Sequence, residues 1–191
     1  MNKEIINLSI DQAKRGGLKP SNLLAFIEVE TGGRGFDPIT NKILIQFEPL
    51  WMKRLAPYTP SGLWSVNKVD VQSKEWIAFN DAFKKDKEGA MKATSIGLGQ
   101  IMGFHYAKLG FKTVGEMWEY SKESLSNQIE LIVRFILLNK TLLKAINEED
   151  WDTVASIYNG KEYEKMAKKW GREPYDISLK NANEKYLSYN K

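Results

Sequence analysis

The chain has 191 residues, of which 42% are hydrophobic, which is enough for a buried core and suits one domain. It contains no cysteine and one histidine, so disulfides, thiolate sites and metal sites with several histidines are excluded. Any chemistry is therefore expected to rest on carboxylates. The formal net charge of +4 favours an anionic partner, such as nucleic acid, a membrane surface or a cell-wall polymer, although a solvated and mildly cationic surface is the simpler explanation.

The first fifty residues contain two predicted helices and one predicted strand. An amphipathic helix over residues 2–15 ends at Gly16-Gly17, and a second helix over 22–30 begins after Pro20-Ser21 and ends at Gly32-Gly33. Turn-forming residues then precede an apolar segment at 43–47, which predicts a short strand and one arm of a small hairpin. The N-terminus lacks the apolar core and the cleavage site of a signal peptide.

The rest of the chain is predicted to be mostly helical. After an irregular stretch, helical patterns are found at 73–85, 90–102, 126–139, 149–158 and 177–189. The capping-box pair Thr113 and Glu116 marks the start of one further helix. The longest apolar run, 129–138, contains Glu130 and Arg134 and is too short to span a bilayer, so no stable membrane insertion is expected. The predicted fold class is mainly α, with one small β-hairpin after the second helix.

Glu30 is the candidate catalytic acid because of its place on the second helix. At about 100° per residue it lies on the same face as Phe26 and Ile27, whereas Glu28 points toward the polar edge. Apolar surroundings and the negative end of the helix dipole both disfavour the ionised form, so the pKa of Glu30 is expected to be raised, as a general acid requires. The alternative is a structural glutamate that meets solvent at the helix end or pairs with Arg34.

Three short motifs occur in a fixed order along the chain. They are Glu-Thr-Gly-Gly at 30–33, Ser-Ile-Gly-Leu-Gly-Gln-Ile-Met-Gly at 95–103 and Tyr-Asn-Gly at 158–160. Shorter similarities are Gly-Phe-Asp-Pro at 35–38, Ile-Gln-Phe-Glu at 45–48, Asp-Trp at 150–151 and Tyr-Asp at 175–176. Together they resemble the N-acetylmuramidase family of phage endolysins, within the lysozyme and lytic transglycosylase superfamily. The resemblance covers nearly the whole chain, from about residue 20 to residue 188.

The resemblance implies a lysozyme-like α+β fold whose glycan groove is lined by a helix with the second motif. Glu30 would protonate the glycosidic oxygen between N-acetylmuramic acid and N-acetylglucosamine. Ser95 and Gln100 would hydrogen-bond the acetamido and lactyl groups of the sugars, and Ile101 belongs to the same substrate-binding motif. The structural alternative for Ser95 is a helix cap.

The third motif is implied to support the acid. Tyr158 would hold Glu30 through its hydroxyl, and Asn159 would shape the turn around it; the structural alternative for Tyr158 is an ordinary core tyrosine. The sequence departs from the family pattern where Thr31 follows the acid in place of serine and where Gly99 replaces a bulkier residue. Residues 49–51 are Pro-Leu-Trp rather than the Arg-His that follows Phe-Glu in phage relatives, so a role tied to that pair is not carried over.

A second catalytic carboxylate is expected just after Glu30 in the sequence. Glu48, at the end of the predicted strand, is the first choice, and Asp37 is the alternative. A purely structural role for Glu48 at the strand end is the simpler hypothesis. Inverting glycosidases separate their two carboxyl groups by about 6.5–9.5 Å and retaining ones by about 5–5.5 Å. We predict that Glu48 shares a groove with Glu30 at the longer separation.

The resemblance therefore predicts a monomeric peptidoglycan hydrolase that acts on bacterial glycan strands and needs no metal or other cofactor. Residues 1–191 are expected to form a single catalytic domain, with 1–19 as a helical extension and no separate wall-binding domain. Synthesis in a host cytoplasm and release to the wall through a holin pore would account for the missing signal peptide. The rivals are a lytic transglycosylase that forms 1,6-anhydromuramic ends and a non-catalytic glycan-binding module, whereas a nucleic-acid binder is disfavoured by the lack of a dense Lys/Arg stripe.

Overall fold

The computed structural model describes residues 1–68 and 71–191, which are mainly helical and include one small antiparallel sheet. The helices are α1 (Lys3–Arg15), α2 (Pro20–Thr31), α3 (Pro49–Leu55), α4 (Gln72–Lys85), α5 (Lys87–Lys92), α6 (Val114–Glu123), α7 (Leu125–Leu138), α8 (Lys140–Glu148), α9 (Trp151–Tyr158), α10 (Tyr163–Trp170) and α11 (Tyr175–Tyr186). The strands are β1 (Ile45–Phe47), β2 (Thr94–Ile96) and β3 (Ile101–Met102). The predicted fold class, mainly α with a small β element, is confirmed.

Contacts divide the chain into two compact units. The first unit consists of residues 1–33 and 132–191, and the second unit consists of residues 34–131. Residues 1–19, predicted as an extension, belong to the first unit, where α1 buries Ile5 and Ala13 and packs against α2. In the described part of the chain, no helix is both long enough and apolar enough to cross a membrane.

Helix α2 carries the most continuously buried segment of the first unit. Pro20 stands at its first turn, where the missing N–H costs no hydrogen bond, and every residue from Pro20 to Ile27 is buried. The helix ends at Gly32, which has a φ of 62° and donates its N–H to the Glu28 carbonyl oxygen at 2.8 Å. Helix α11 packs along α2, so residues of α11 reach the side chains of the last turn of α2.

A buried hydrogen-bond network joins α2 to α11. The Asn183 amide donates to Ser21 Oγ at 2.9 Å and to Asn22 Oδ1 at 2.6 Å, and the Asn22 amide donates to the Ile146 carbonyl oxygen at 2.6 Å. The three polar side chains are 3% exposed or less, and buried polar groups are stable only when they are hydrogen-bonded. The network therefore fixes which face α11 turns toward α2.

In the second unit, the sheet has the order β1-β2-β3, and Ile45 of β1 pairs with Ile96 of β2. The outer edge of β1 is bonded by side chains of α4 instead of by another strand. The Gln72 amide bonds both the N–H and the carbonyl of Ile45, at 3.0 and 2.8 Å, and Glu75 accepts the Phe47 N–H at 2.7 Å. These bonds satisfy backbone groups that an open strand edge would leave unpaired.

The prediction of a helix over residues 90–102 is wrong. Helix α5 ends at Lys92, and the second motif forms the hairpin of β2 and β3, so Ser95, Gln100 and Ile101 lie on strands and a turn rather than on a groove-lining helix. The physical reason is tertiary, because β2 completes a sheet with β1 and Gly97, at a φ of 69°, helps to reverse the chain. The predicted hairpin partner of β1 is likewise supplied by β2.

Most other predicted elements are present, with ends shifted by a few residues. The capping box is confirmed, since Thr113 Oγ1 accepts the Glu116 N–H at 3.1 Å and the Glu116 carboxylate accepts the Thr113 N–H at 3.4 Å. Helices α3, α8 and α10 were not predicted; each has fewer than ten residues, which is a short span for a periodic pattern.

Candidate active site

Glu30 lies in the last turn of α2, and its carboxyl group is held by Tyr175 from the first turn of α11. The Tyr175 hydroxyl donates a hydrogen bond to Glu30 Oε1. Burial raises the pKa of Glu30 from its ordinary value of 4.5 to about 7, while the Tyr175 hydrogen bond acts in the opposite direction. The carboxyl group therefore keeps its proton through most of the acidic range, which a general acid must do.

An aromatic cluster surrounds this carboxyl group within the first unit. The rings of Tyr158 and Tyr175 lie 6.5 Å apart and nearly parallel, at 15°, and the ring of Phe26 meets Tyr158 edge-on at 4.4 Å. Burial, and next the charge of Glu30, raise the pKa of both tyrosines well above 10. Both hydroxyls therefore remain protonated and available as hydrogen-bond donors.

Glu28, two residues before Glu30, has the opposite environment. Its carboxylate accepts hydrogen bonds from Lys185 Nζ, at 2.6 Å, and from the Tyr186 hydroxyl. Burial alone would raise the pKa of Glu28, but these two hydrogen bonds and the charge of Lys185 outweigh burial and lower it. Glu28 is thus an ionised anchor for α11, which agrees with its predicted place at the polar edge of the helix.

Glu48, the predicted second carboxylate, follows β1 in the second unit and is half-buried. Its Oε1 accepts a hydrogen bond from Gln46 Nε2 at 2.6 Å, and its side chain does not cap helix α3, which begins at the next residue. Burial raises the pKa of Glu48, the Gln46 hydrogen bond lowers it, and the negative charge of Glu75 raises it again. The net shift is upward, so ionised Glu48 is a stronger base than an exposed glutamate.

Asp37, the alternative second carboxylate, is engaged in its own turn. Its Oδ1 accepts the Thr40 N–H at 2.7 Å, the Thr40 hydroxyl at 2.9 Å and the Ile39 N–H at 3.1 Å. The bonds from Thr40 lower the pKa of Asp37, which is typical of an aspartate that closes a turn. This geometry favours Glu48 over Asp37.

Ser95 and Gln100 meet across the hairpin of β2 and β3. Ser95 Oγ donates to Gln100 Oε1 at 3.0 Å, and Gln100 Nε2 donates to the Gly97 carbonyl oxygen at 2.8 Å. Ser95 and Ile101 are each only 4% exposed, whereas Gln100 is half-buried. Gln100 also has a φ of 47°, a left-handed conformation that costs about 1–2 kcal/mol for a residue with a side chain and that is common at functional sites.

The family model for N-acetylmuramidase matches residues 19–187. The chain belongs to the N-acetylmuramidase family. Among solved structures it is similar to the crystal structure of the Burkholderia AP3 phage endolysin, with 30% identity and a TM-score of 0.81 over 97% of this chain and 71% of that one. No curated protein matches the chain. The chain is therefore a peptidoglycan-degrading enzyme, as the resemblance in its motifs predicts.

Within this N-acetylmuramidase, Tyr158 lies close enough to Glu30 for the charge of Glu30 to raise the pKa of the tyrosine, and Tyr175 donates a hydrogen bond to Glu30. Whether Tyr158 also holds the acid stays a prediction. Asn159 caps the end of α9, donates its N–H to the Ala155 carbonyl oxygen at 2.8 Å and is exposed.

Tyr175 is the residue that the sequence analysis missed. It was noted only as part of a short Tyr-Asp similarity, and it lies 145 residues after Glu30. That similarity was the one available signal, since a hydroxyl at the start of a helix says nothing by itself about a carboxyl group so far away in the chain. Among residues 1–68 and 71–191, no group of three or more histidine, cysteine, aspartate or glutamate side chains is placed to hold a metal ion.

Proposed function

We propose that this N-acetylmuramidase hydrolyses the β-1,4 bond between N-acetylmuramic acid and N-acetylglucosamine, with Glu30 as the general acid. The observation that carries the proposal is a half-buried glutamate whose surroundings raise its pKa to about 7 and whose carboxyl group accepts a hydrogen bond from Tyr175. Cleavage of a glycosidic bond requires a proton on the leaving oxygen, and an ordinary exposed glutamate would be ionised near neutral pH.

The Tyr175 hydrogen bond also indicates which oxygen of Glu30 carries the proton. Tyr175 donates to Oε1, so Oε1 acts as an acceptor and the transferable proton resides on Oε2. When Oε2 gives its proton to the glycosidic oxygen, the new negative charge is shared with Oε1. There the Tyr175 hydroxyl stabilises it, because hydrogen bonds to an ionised acceptor are stronger than those to a neutral one.

Glu48 is proposed as the general base that activates the attacking water. Gln46 donates to Oε1 and leaves Oε2 for the water, and a raised pKa makes ionised Glu48 the stronger base. In this scheme Glu48 is ionised while Glu30 is protonated, which confines activity to a pH window whose upper limit is the pKa of Glu30. Inversion, with the two carboxyl groups about 6.5–9.5 Å apart, is the predicted outcome.

Gln100 is proposed as the main sugar-binding side chain of the hairpin. Each of its amide atoms makes one hydrogen bond to the protein, to Ser95 and to Gly97, and each has capacity for one more. Ser95 would then act on the glycan mainly by orienting Gln100, and buried Ile101 would support the hairpin from the core side. Tyr158 and Asn159 are proposed to complete the site around the acid and its turn.

The deciding experiment is digestion of purified peptidoglycan, followed by mass spectrometry of the new ends. Reducing N-acetylmuramic acid ends support hydrolysis of the proposed bond. In contrast, 1,6-anhydromuramic ends would identify a lytic transglycosylase, and binding without cleavage would identify a non-catalytic module. Glu48→Gln should abolish turnover in the hydrolase, whereas unchanged turnover would remove Glu48 from the mechanism.

The first matched pair of variants is Glu30→Gln and Glu28→Gln. Glu30→Gln is expected to lose at least about 100-fold in wall-clearing activity while remaining folded, because it lacks the transferable proton. Glu28→Gln keeps its contacts with Lys185 and Tyr186 in weakened form and should retain nearly full activity. The reverse pattern, with Glu28 essential and Glu30 dispensable, would refute the assignment of the acid.

The biological setting proposed for the enzyme is that of an endolysin, which is what the similar solved structure is called. We propose that the enzyme acts as a monomer on the cell wall after release from the cytoplasm through a holin-type pore. Inducing it in a bacterial host with and without a co-expressed holin tests this. Lysis only with the holin supports the proposal, and lysis without one would indicate another route to the wall.

A further inference from the structure

Gln128, in the first turns of α7, has a buried side chain that is bonded at both ends. It is 2% exposed, its Oε1 accepts the Leu98 N–H at 2.9 Å, and its Nε2 donates to the Ser121 carbonyl oxygen at 2.9 Å. Leu98 lies in the turn between β2 and β3, and Ser121 lies in α6. One amide therefore ties the tip of the hairpin to α6 and to the start of α7.

The backbone of two glycines lies close to this amide. A Cβ atom on Gly97 would lie 2.8 Å from Gln128 Oε1, and a Cβ atom on Gly35 would lie 2.3 Å from the same oxygen. Both distances are too short for a side chain, so each segment approaches Gln128 as closely as its backbone permits. Gly97 also has a φ of 69°, so its position is fixed both by conformation and by contact.

The turn held by Gln128 is the one that presents Gln100. The Gly97 carbonyl oxygen accepts a hydrogen bond from the Gln100 amide. The N–H of the next residue, Leu98, donates to Gln128. Gln128 therefore holds the turn next to the carbonyl group that supports Gln100. Gln100 is in an unfavourable left-handed conformation, which persists only where surrounding contacts enforce it. Gln128 supplies one of those contacts from outside the hairpin.

We propose that Gln128 is a positioning residue for glycan binding, which sets the conformation of the turn that presents Gln100 to the sugar. The inference rests on the proposed function of Gln100 as a sugar-binding side chain. It assigns to α7 a role in substrate affinity, although Gln128 is buried and acts on the glycan only through the hairpin.

The experiment compares Gln128→Met with Asn127→Leu on soluble peptidoglycan fragments. Methionine fills the same space but neither accepts the Leu98 N–H nor donates to Ser121. Asn127, the preceding residue, donates to the Tyr120 carbonyl oxygen and to Glu123 Oε2, both at 2.9 Å, so its loss removes bonds between α7 and α6 without involving the hairpin. Gln128→Met should raise KM at least about tenfold with kcat within about twofold, while Asn127→Leu should leave KM unchanged at a similar loss in Tm.

Gln128→Glu supplies the graded test in assays at acidic pH, where its neutral carboxyl group can accept the Leu98 N–H and donate to the Ser121 carbonyl oxygen. Its KM should lie between those of the wild type and Gln128→Met. It also replaces the methionine variant if that variant fails to fold. A wild-type KM in a folded Gln128 variant, or an equal rise in KM in Asn127→Leu, would overturn the inference. Gln100→Ala separates the proposed function of Gln100 from the inference about Gln128. An unchanged KM in Gln100→Ala refutes sugar binding by Gln100. A raised KM in Gln100→Ala, with a wild-type KM in the Gln128 variants, refutes only the role of Gln128.

Discussion

At the scale of single residues, the acid site depends on two glutamates of one helix that have opposite pKa shifts. Burial raises the pKa of the half-buried Glu30 to about 7, whereas Lys185 and Tyr186 lower the pKa of Glu28. The same residue type is thus the proposed acid at position 30 and a charged anchor at position 28. Environment alone assigns the two roles, as is usual for pairs of carboxyl groups in glycosidases.

Tyr175→Phe tests how the acid is held. The variant removes a hydrogen bond that lowers the pKa of Glu30, so the descending, high-pH limb of the activity profile should move above its wild-type position near pH 7. The kcat should fall by about tenfold, because the charge left on Glu30 loses its donor. The measurement is the pH dependence of kcat together with Tm.

Tyr158→Phe is the companion to that variant. The sequence analysis predicts that the Tyr158 hydroxyl holds Glu30, so activity should fall clearly. Tm should change little, because the ring and its stacking on Tyr175 are kept. A shifted limb in Tyr158→Phe with none in Tyr175→Phe would transfer the supporting role to Tyr158.

Sequence predicts Glu30 as the acid but not Tyr175 as its partner, and the reason is the range of the interaction. The prediction for Glu30 comes from its place on an apolar helix face and from a local motif, both of which are written within a few residues. Tyr175 becomes a partner only after the Ser21, Asn22 and Asn183 network has docked α11 on α2. No periodicity within α11 encodes that contact.

At the scale of elements, the hairpin of β2 and β3 shows where a local pattern is overruled. Residues 90–102 have helix-compatible composition in their first part, and α5 ends there, at Lys92. The segment becomes a strand because the backbone of β1 pairs with it and because Gln128 accepts a hydrogen bond from Leu98 in the turn that follows. Both partners lie far away in the sequence, so a window of ten to fifteen residues contains no sign of them.

The edge of β1 gives a prediction about element stability. Glu75 is 1% exposed and accepts the N–H of Phe47 at 2.7 Å and the amide of Asn67 at 3.1 Å. Glu75→Leu leaves these donors unpaired and should lower the free energy of unfolding by about 1–3 kcal/mol in urea denaturation. Glu75→Gln retains one acceptor oxygen and should lower it less. Equal stability of the leucine variant and the wild type would mean that β1 does not depend on α4 for its edge.

At the scale of the whole molecule, the sequence predicted a mainly α fold with a small β element, and this rests on signals that are strong over long segments. Helices such as α1, α6 and α7 have clear apolar periodicity, and the capping residues Asn2 and Thr113 mark where α1 and α6 begin. The sheet was predicted only by its first strand. The separation of Glu30 from Glu48 is encoded by neither residue's local surroundings, so it stays a prediction for measurement.

The last prediction concerns how global stability depends on pH, and its sign follows from Glu30. The folded protein holds a proton on Glu30 up to about pH 7, while the unfolded chain releases it near 4.5. Between these values the folded state binds more protons than the unfolded state, so the contribution of Glu30 to stability is full below pH 4.5 and is lost as pH rises toward 7. The loss is at most about 3 kcal/mol, for a shift of this size.

Glu30→Gln removes this penalty, because glutamine stays neutral at every pH. The variant should therefore exceed the wild type in Tm above pH 7, and the difference should shrink to near zero around pH 4.5. Glu28→Gln should behave in the opposite way, since the lowered pKa of Glu28 makes its ionised form stabilising above pH 4.5. Thermal unfolding of the three proteins from pH 4 to pH 8 measures both differences. A constant difference between Glu30→Gln and the wild type across that range would mean that Glu30 does not titrate as a buried acid.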